Sequence, residues 1–386
     1  MFSIKTYNKI SAIGLESFDD KYVIGDEVVN PVGAIVRSAN LHEEQFDDTL
    51  LAIARAGAGT NNIPIERCSD EGIVVFNTPG ANANAVKELV LAGLLLSSRR
   101  ILPAIEWAKT LKGNGEQVGK MVEKGKGAFV GPEIRGKKLG VIGLGAIGVL
   151  VANAAHQLGM EVYGYDPFLS LQNAWNLSHH INRANDMKEI FENCDYISLH
   201  IPLNKDTKDT IDADALTMMK DGVRILNFSR DALVNSADMI VALEKGKVAS
   251  YVVDFPTDEM IGVNGVVCIP HLGASTPESE DNCAEMAAKE LIDYIENGNI
   301  TNSVNFPNIS MAKSGEKRIC IIHKNIPNML TAITSIVAKD NVNIENLLNK
   351  SRGDIAYTML DINECDNDAV LKHLNDIDGV IKVRII

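Results

Sequence analysis

Lys137-Lys-Leu-Gly-Val-Ile-Gly143-Leu-Gly145-Ala-Ile-Gly148 is the stretch on which the fold turns. Leu139–Ile142 reads as a short buried strand, the glycines follow the spacing G-x-G-x-x-G, and the residues after Gly148 read as a helix. A second apolar run, Glu161–Tyr165, ends at Asp166. Glycine spacing alone is a weak signal. A strand before it, a helix after it and an acid about 20 residues on complete the pattern of a dinucleotide site. Gly143 permits the tight turn, Gly145 lets the backbone approach a pyrophosphate, and Gly148 lets helix and strand pack closely. Ala146 and Ile147 lie in the same turn, where helix N–H groups and the helix dipole favour an anion. Asp166 would accept hydrogen bonds from the ribose hydroxyls and repel a 2′-phosphate, which favours NAD over NADP.

Outward from this motif the pattern repeats. Val32–Val36, Leu51–Ala54 and Ile73–Phe76 precede it, a helix is expected from about Ala85 to Arg99, and Tyr196–Ile201, Val223–Phe228, Tyr251–Asp254 and Val266–Ile269 follow it. Continuous apolar strands separated by helix-length segments imply parallel sheets covered on both faces. Two such sets predict two doubly wound α/β lobes. Lys112–Pro132, rich in Gly and Lys, reads as an irregular hinge, and Asn302–Gly315, polar and containing Pro307, as a linker. Beyond it, strand-like Arg318–His323, Val342–Leu348, Ile355–Ile362 and Val380–Ile386 interleave with helical Asn328–Lys339 and Ala369–Leu374, a ferredoxin-like βαββαβ unit.

A net charge of −14 argues against a nucleic-acid partner or an anionic membrane surface, while leaving room for an anionic small substrate held by a few local cations. The cysteines, Cys68, Cys194, Cys268, Cys283, Cys320 and Cys365, form no C-x-x-C pair, so they read as reduced thiols rather than a disulfide framework or a zinc site, and no metal is expected. The N-terminal residues carry no apolar signal core, and a cytoplasmic location is expected.

Three later strand ends carry polar residues where a doubly wound sheet binds its ligand: Asn227-Phe-Ser-Arg230, Asp254-Phe-Pro-Thr-Asp-Glu259 and Pro270-His271-Leu-Gly-Ala-Ser-Thr276. Oxidising a secondary alcohol needs a base for the hydroxyl proton, a cation for a neighbouring carboxylate and an acid that tunes the base. His271, Arg230 and a carboxylate at 258 or 259 supply those types. Each alone has a bland reading as a surface group; their order behind the glycine turn gives them weight.

On these residues, 1–310 resembles the D-isomer-specific 2-hydroxyacid dehydrogenase family. The resemblance implies two lobes, 1–97 with 276–310 for the substrate and 98–275 for NAD. It implies a catalytic Arg230, Glu259 and His271. Asp258 is the alternative to Glu259 when Phe-Pro-Thr is used as the anchor; counting from Arg230 without gaps selects Glu259. Cofactor contacts then fall on Gly143, Gly145, Ala146, Ile147, Gly148, Asp166, Thr207, Phe228, Ser229, Arg230, Asp254, His271, Gly273 and Ala274. Asp231 stands where the family has Gly, and the segment from Glu259 to His271 is short for it.

Val36-Arg37-Ser38, Ala54-Arg55-Ala-Gly57-Ala-Gly59 and Asn77–Asn82 resemble the family's substrate loops. Gly57 and Gly59 would offer N–H groups to a carboxylate, and Arg37, Arg55 and Lys126 are cations open to a phosphate. The resemblance selects Arg37, Ser38 and Asn82, which implies a phosphorylated hydroxy acid as substrate. The segment His323-Lys-Asn325-Ile-Pro327-Asn328, followed by Asn341-Val-Asn343, resembles an ACT domain over 317–386. The resemblance implies pairing into a homo-oligomer, a dimer or tetramer, and an L-serine effector held by His323, Asn325 and Asn343, or else a plain dimerisation module. Two rival functions remain: a dehydrogenase of an unphosphorylated acid such as glycerate or hydroxypyruvate, and a non-catalytic NAD-sensing protein.

Overall fold

The computed structural model describes residues 1–339 and 342–386. Its contacts divide the chain into Met1–Asn82 with Pro277–Ile386, and Ala83–Thr276. The first unit opens with a parallel sheet of β1 (Phe2–Tyr7), β2 (Tyr22–Gly25), β3 (Gly33–Val36), β4 (Ala52–Arg55) and β5 (Val74–Asn77), in the order β2-β1-β3-β4-β5. Alternation along the strands sends Ala34, Val36, Ile53 and Val75 to one core and Ile35, Ala52, Ala54, Val74 and Phe76 to the other. β1 and β2 were not among the expected strands. Only Ile4 of β1 is buried, so Phe2–Tyr7 shows no apolar run to read.

The second unit begins with the helix Ala83–Arg99, which buries Val86, Val90 and Leu94 against the core of the NAD-type sheet. The contact division places this helix in the second unit, whereas the expected lobe boundary lay at 97/98. Its seven strands are β6 (Lys138–Ile142), β7 (Glu161–Tyr165), β8 (Asn182–Arg183), β9 (Tyr196–Leu199), β10 (Val223–Asn227), β11 (Val248–Val253) and β12 (Val266–Cys268). They lie in the order β12-β11-β10-β9-β6-β7-β8, all parallel. The chain runs outward from β6 in one direction, then returns to β9 and runs in the other. The switch point falls between β6 and β9, where such sheets bind ligands. Lys112–Pro132, expected to be irregular, contains the helix Val118–Gly125 flanked by short 3-10 turns.

The chain re-enters the first unit through the helix Pro277–Asn297, whose Cys283, Ala284, Ala287, Ala288, Leu291, Tyr294 and Ile295 pack on the β1–β5 sheet. The C-terminal sheet is antiparallel: β13 (Lys317–Lys324), β14 (Ile344–Arg352), β15 (Ile355–Ile362) and β16 (Val380–Ile385), in the order β14-β15-β13-β16. One face, Ile319, Ile321, Leu360 and Ile362, packs on the helices Met329–Lys339 and Asn367–Asn375. The other face, Cys320, Ile322, Tyr357 and Met359, joins the core of the β1–β5 lobe. Asn302–Gly315 is not a free linker. Ser303, Asn305, Phe306, Ile309 and Met311 are buried, and bridges join Phe76 to Ser303 and Ile300 to Ile309.

Charged groups close this seam. Arg318 and Asp361, 1 % and 0 % exposed, form a two-pronged pair with Nε–Oδ1 of 2.6 Å and Nη2–Oδ2 of 2.9 Å. Arg318 Nη1 also donates to the Asn297 carbonyl, and Arg384 donates to those of Tyr294 and Ile295. Tyr357 Oη donates to the Gly298 carbonyl. The last carbonyls of a helix lack intrahelical partners and carry its negative dipole end, so guanidinium groups there satisfy both needs.

Candidate active site

In the Ala83–Thr276 unit, Gly143 turns with φ 92°, and a Cβ there would lie 2.4 Å from the His200 carbonyl oxygen. A Cβ on Gly148 would lie 1.9 Å from the Gly143 oxygen, whereas one on Gly145 would meet nothing within 4 Å. Two of the three glycines are thus required by packing, and the third borders open space at the N-terminus of the helix Ala146–Gln157. Asp166, at the end of β7, accepts from the N–H groups of Leu144 and Phe168, both at 2.8 Å, and so ties the turn to the neighbouring strand. These residues fit a dinucleotide: backbone donors, room above Gly145 and a carboxylate just after the neighbouring strand.

His200 was not among the expected site residues. It follows β9 at the switch point, shares a 2.8 Å hydrogen bond with Ser198, and burial pulls its imidazole down to about 4, so the ring beside the glycine turn is neutral. The polar pair Ser198 and His200 at an apolar strand end was the available signal.

Asn227 at the end of β10 holds the next loop: its amide donates to the Arg230 carbonyl at 2.8 Å and accepts from Ser229 N at 3.2 Å. Ser229 Oγ donates to the Leu199 carbonyl, and Phe228 is buried against Gly93. Asp231, in place of glycine, opens a 3-10 turn (Asp231–Leu233) without left-handed backbone. Thr207 is engaged within its own loop, bonded to Pro202 and Asn204.

Arg230, Asp254, Phe255, His271 and Gly273 come together. The Arg230 guanidinium lies 5.6 Å from the Phe255 ring centre, and the His271 ring centre lies 4.5 Å from it. Asp254 is 1 % exposed and its Oδ1 has no hydrogen-bond partner. Burial pushes its carboxyl above the usual range, against the opposing pull of His271, the Gly273 N–H and Arg230. Ala274 follows, half-buried. Glu259 and Asp258 are exposed on the turn after β11, and no hydrogen bond or ion pair joins either to His271 among the described residues. Glu259 instead lines a cavity of about 360 Å³ with Asp209, Asp231, Asn235 and Thr257. Asp254, which directly precedes Phe255, is a carboxylate whose charge interacts with that of His271.

In the other unit, Arg37 follows β3 and pairs with Glu280 at 2.7 Å. Arg55 Nε donates to the Arg37 carbonyl at 3.1 Å, and its guanidinium wraps the Gly57 turn so closely that a Cβ on Gly57 would lie 1.5 Å from Nη1. Ser38 N donates to Asn8, Asn77 donates to the Ala58 carbonyl, and Asn82 is half-buried. Lys126 belongs to the Ala83–Thr276 unit, where it pairs with Glu123.

In the C-terminal domain, His323 is buried with both ring nitrogens engaged, Nδ1 on the Lys324 carbonyl and Nε2 on Thr358, each at 2.8 Å. Asn325 donates to the Gly353 carbonyl and Asn343 to Glu345, and both are exposed. Asn328 takes the left-handed conformation, φ 68°, that the family's glycine would take. Asn341 lies outside the described residues.

A switch-point glycine turn, an acid after the neighbouring strand, and an arginine and histidine around a buried aspartate fit an NAD-dependent dehydrogenase with a second α/β lobe. The chain belongs to the D-isomer-specific 2-hydroxyacid dehydrogenase family: residues 92–273 match the model of its NAD-binding domain, and 319–382 match an ACT domain of the AHAS small-subunit-like type. Over 355 residues it is 34 % identical to the D-3-phosphoglycerate dehydrogenase of Escherichia coli (strain K12), covering 88 % of this chain and 82 % of that one. The enzyme of the same name from Haemophilus influenzae is 32 % identical over 87 % of this chain and 81 % of that one. Among solved structures, NAD+-bound 3-phosphoglycerate dehydrogenase of Entamoeba histolytica aligns with TM-score 0.58 and 25 % identity, covering 79 % of this chain and 98 % of that one. Among the described residues, no helix is long and apolar enough to cross a membrane.

Proposed function

We propose that this chain oxidises 3-phospho-D-glycerate to 3-phosphooxypyruvate with NAD, opening L-serine biosynthesis in the cytoplasm. The observation that carries the chemistry is the gathering of Arg230, Asp254 and His271 around Phe255. His271 takes the hydroxyl proton as the alcohol is oxidised, while Arg230 holds the substrate carboxylate. The buried Asp254, whose charge interacts with that of His271, belongs to the same cluster. The family resemblance assigns the tuning of His271 to Glu259, which is exposed on the turn after β11. Bound NAD supplies the hydride acceptor, held by the Gly143–Gly148 turn and Asp166. Arg37, Ser38 and Asn82 are assigned the phosphorylated end of the substrate.

The test is NADH formation with 3-phospho-D-glycerate and D-glycerate, with NADH consumption on hydroxypyruvate in parallel. The proposal expects kcat/KM on the phosphorylated acid to exceed that on D-glycerate by about tenfold or more, a difference of about 1.4 kcal/mol. Equal rates support the unphosphorylated-acid reading, and no turnover on any of the three supports a sensor.

We further propose a homo-oligomer paired through ACT domains, with L-serine as effector. The register supports pairing: His323 lies level with Ser351 and Ala356, whereas Asn343 precedes Ile344 at the opposite end of the sheet. About seven residues of strand separate the two levels, roughly 23 Å at about 3.3 Å per residue. One chain cannot bring the three residues to one small ligand, but two chains joined antiparallel along the exposed edge strand β14 can. Calorimetry should show serine binding that Asn343→Ala abolishes; absence of binding at millimolar serine leaves a dimerisation module.

A further inference from the structure

Glu280 sits in the first turn of the helix Pro277–Asn297, and its Oε1 lies 2.7 Å from Nη2 of Arg37. Neither side chain is buried; they are 43 % and 39 % exposed, so the pair is open to solvent and to a solute. The Arg37 backbone is held independently, since its carbonyl accepts from Arg55 and the neighbouring Ser38 N–H is tied to Asn8. Arg55 itself has no carboxylate partner among the described residues; burial lowers its pKa, and the Arg37 charge adds to that. The patch thus holds two guanidinium groups and one carboxylate. The carboxylate holds a guanidinium nitrogen of Arg37, a donor that a phosphoryl group would also need.

We propose that Glu280 is an internal counter-ion on Arg37 that the substrate's phosphoryl group must displace, so that this residue sets how strongly the enzyme prefers phosphorylated over unphosphorylated acids. The inference rests on the phosphorylated-substrate reading above. An exposed ion pair is weak, so a phosphoryl group can displace the carboxylate at modest cost. The charge Glu280 carries also repels a dianion approaching Arg37.

The consequence is a change in discrimination. Glu280→Gln should raise the ratio of kcat/KM on 3-phospho-D-glycerate to that on D-glycerate by about 2- to 5-fold, the range set by one exposed ion pair. In the Arg37→Ala background the same substitution should leave the ratio unchanged, because the group whose access it controls is gone. Glu285→Gln, on the same helix and paired among the described residues only with Lys289, removes an equal charge and should leave the ratio where it was.

Inorganic phosphate is the second probe. Its Kd, measured by calorimetry on the NAD-loaded enzyme, should fall about 2- to 5-fold in Glu280→Gln and should not fall in the Arg37→Ala background. A ratio and a phosphate Kd both unchanged in Glu280→Gln overturn the inference and leave the pair as a helix-to-loop brace, as does an equal response in Glu285→Gln. If the wild-type enzyme fails to oxidise 3-phospho-D-glycerate, the functional reading falls, and the phosphate measurement alone decides whether Glu280 guards Arg37.

Discussion

Asp254 and Asp361 are both almost wholly buried, 1 % and 0 % exposed, yet they are held in opposite ways. Asp361 accepts from two nitrogens of Arg318 and from both the N–H and hydroxyl of Ser314. Burial would raise its pKa, but these partners outweigh burial and the net direction is down. Asp254 keeps one oxygen without a partner, and there burial prevails and the net direction is up. A buried carboxylate whose hydrogen bonds are complete belongs to the architecture. One left incomplete, beside a histidine and an arginine at the ligand end of a sheet, is a candidate for chemistry.

Substitution at the two sites should break the pair of aspartates apart. Asp254→Asn should lower kcat by roughly 10²–10⁴-fold, as should His271→Asn, while thermal unfolding moves little. Glu259→Gln should cost less than Asp254→Asn in kcat. The opposite ranking, read from steady-state kinetics, returns the tuning role to Glu259.

Arg318→Met should do the reverse, leaving a charge buried without its partner. The expected loss is about 3–5 kcal/mol in denaturant unfolding, with the double variant Arg318→Met/Asp361→Leu losing less than either single change. A loss below about 1 kcal/mol would place the pair with ordinary surface salt bridges.

Glu290 sharpens the comparison from between the two cases. One of its oxygens accepts from Asn302 at 2.8 Å, the other has no partner, and burial pushes it up to about 8. Its folded pKa lies above the ordinary 4.5, so the folded state binds the proton more tightly. That contribution is complete below about pH 4.5 and is lost as the pH rises through about 8. Glu290→Gln, neutral throughout, should be more stable than the parent above pH 8 by roughly 1–3 kcal/mol, and the gap should close in acid. Identical stability–pH curves would show that Glu290 ionises freely.

What could be read from the residues followed how local the cause was. The glycine turn obeys a steric rule carried by a few neighbouring positions, so Gly143, Gly145 and Gly148 announce themselves. Arg230 and His271 were singled out by their order behind that turn, and the structure brings both to Phe255. Residues whose role depends on distant partners were invisible. His200 matters through its carbonyl under Gly143, and Glu280 through Arg37, which is far from it in sequence. The Glu259 assignment rested on counting and on the resemblance, and among the described residues no hydrogen bond or ion pair joins it to His271. The C-terminal βαββαβ order was legible from alternating periods. Its second buried face was not, because Cys320, Ile322, Tyr357 and Met359 show the same alternation whether the surface they meet is their own chain, a partner or nothing.

That second face changes what can be done with the gene. ACT domains invite transplantation, and Asn302–Gly315 looks from its polar composition like the place to cut. Here the segment is woven into the neighbouring lobe, with Phe306 at 0 % and Ile309 at 2 % exposure. A chain ended near residue 310 would be left with uncovered Tyr294 and Phe306, and the terminal carbonyls of the helix Pro277–Asn297 would lose Arg318 and Arg384. A truncated chain lacking the ACT domain should therefore be sticky and short-lived rather than an unregulated enzyme, and chimeras should exchange residues 1–82 together with 277–386.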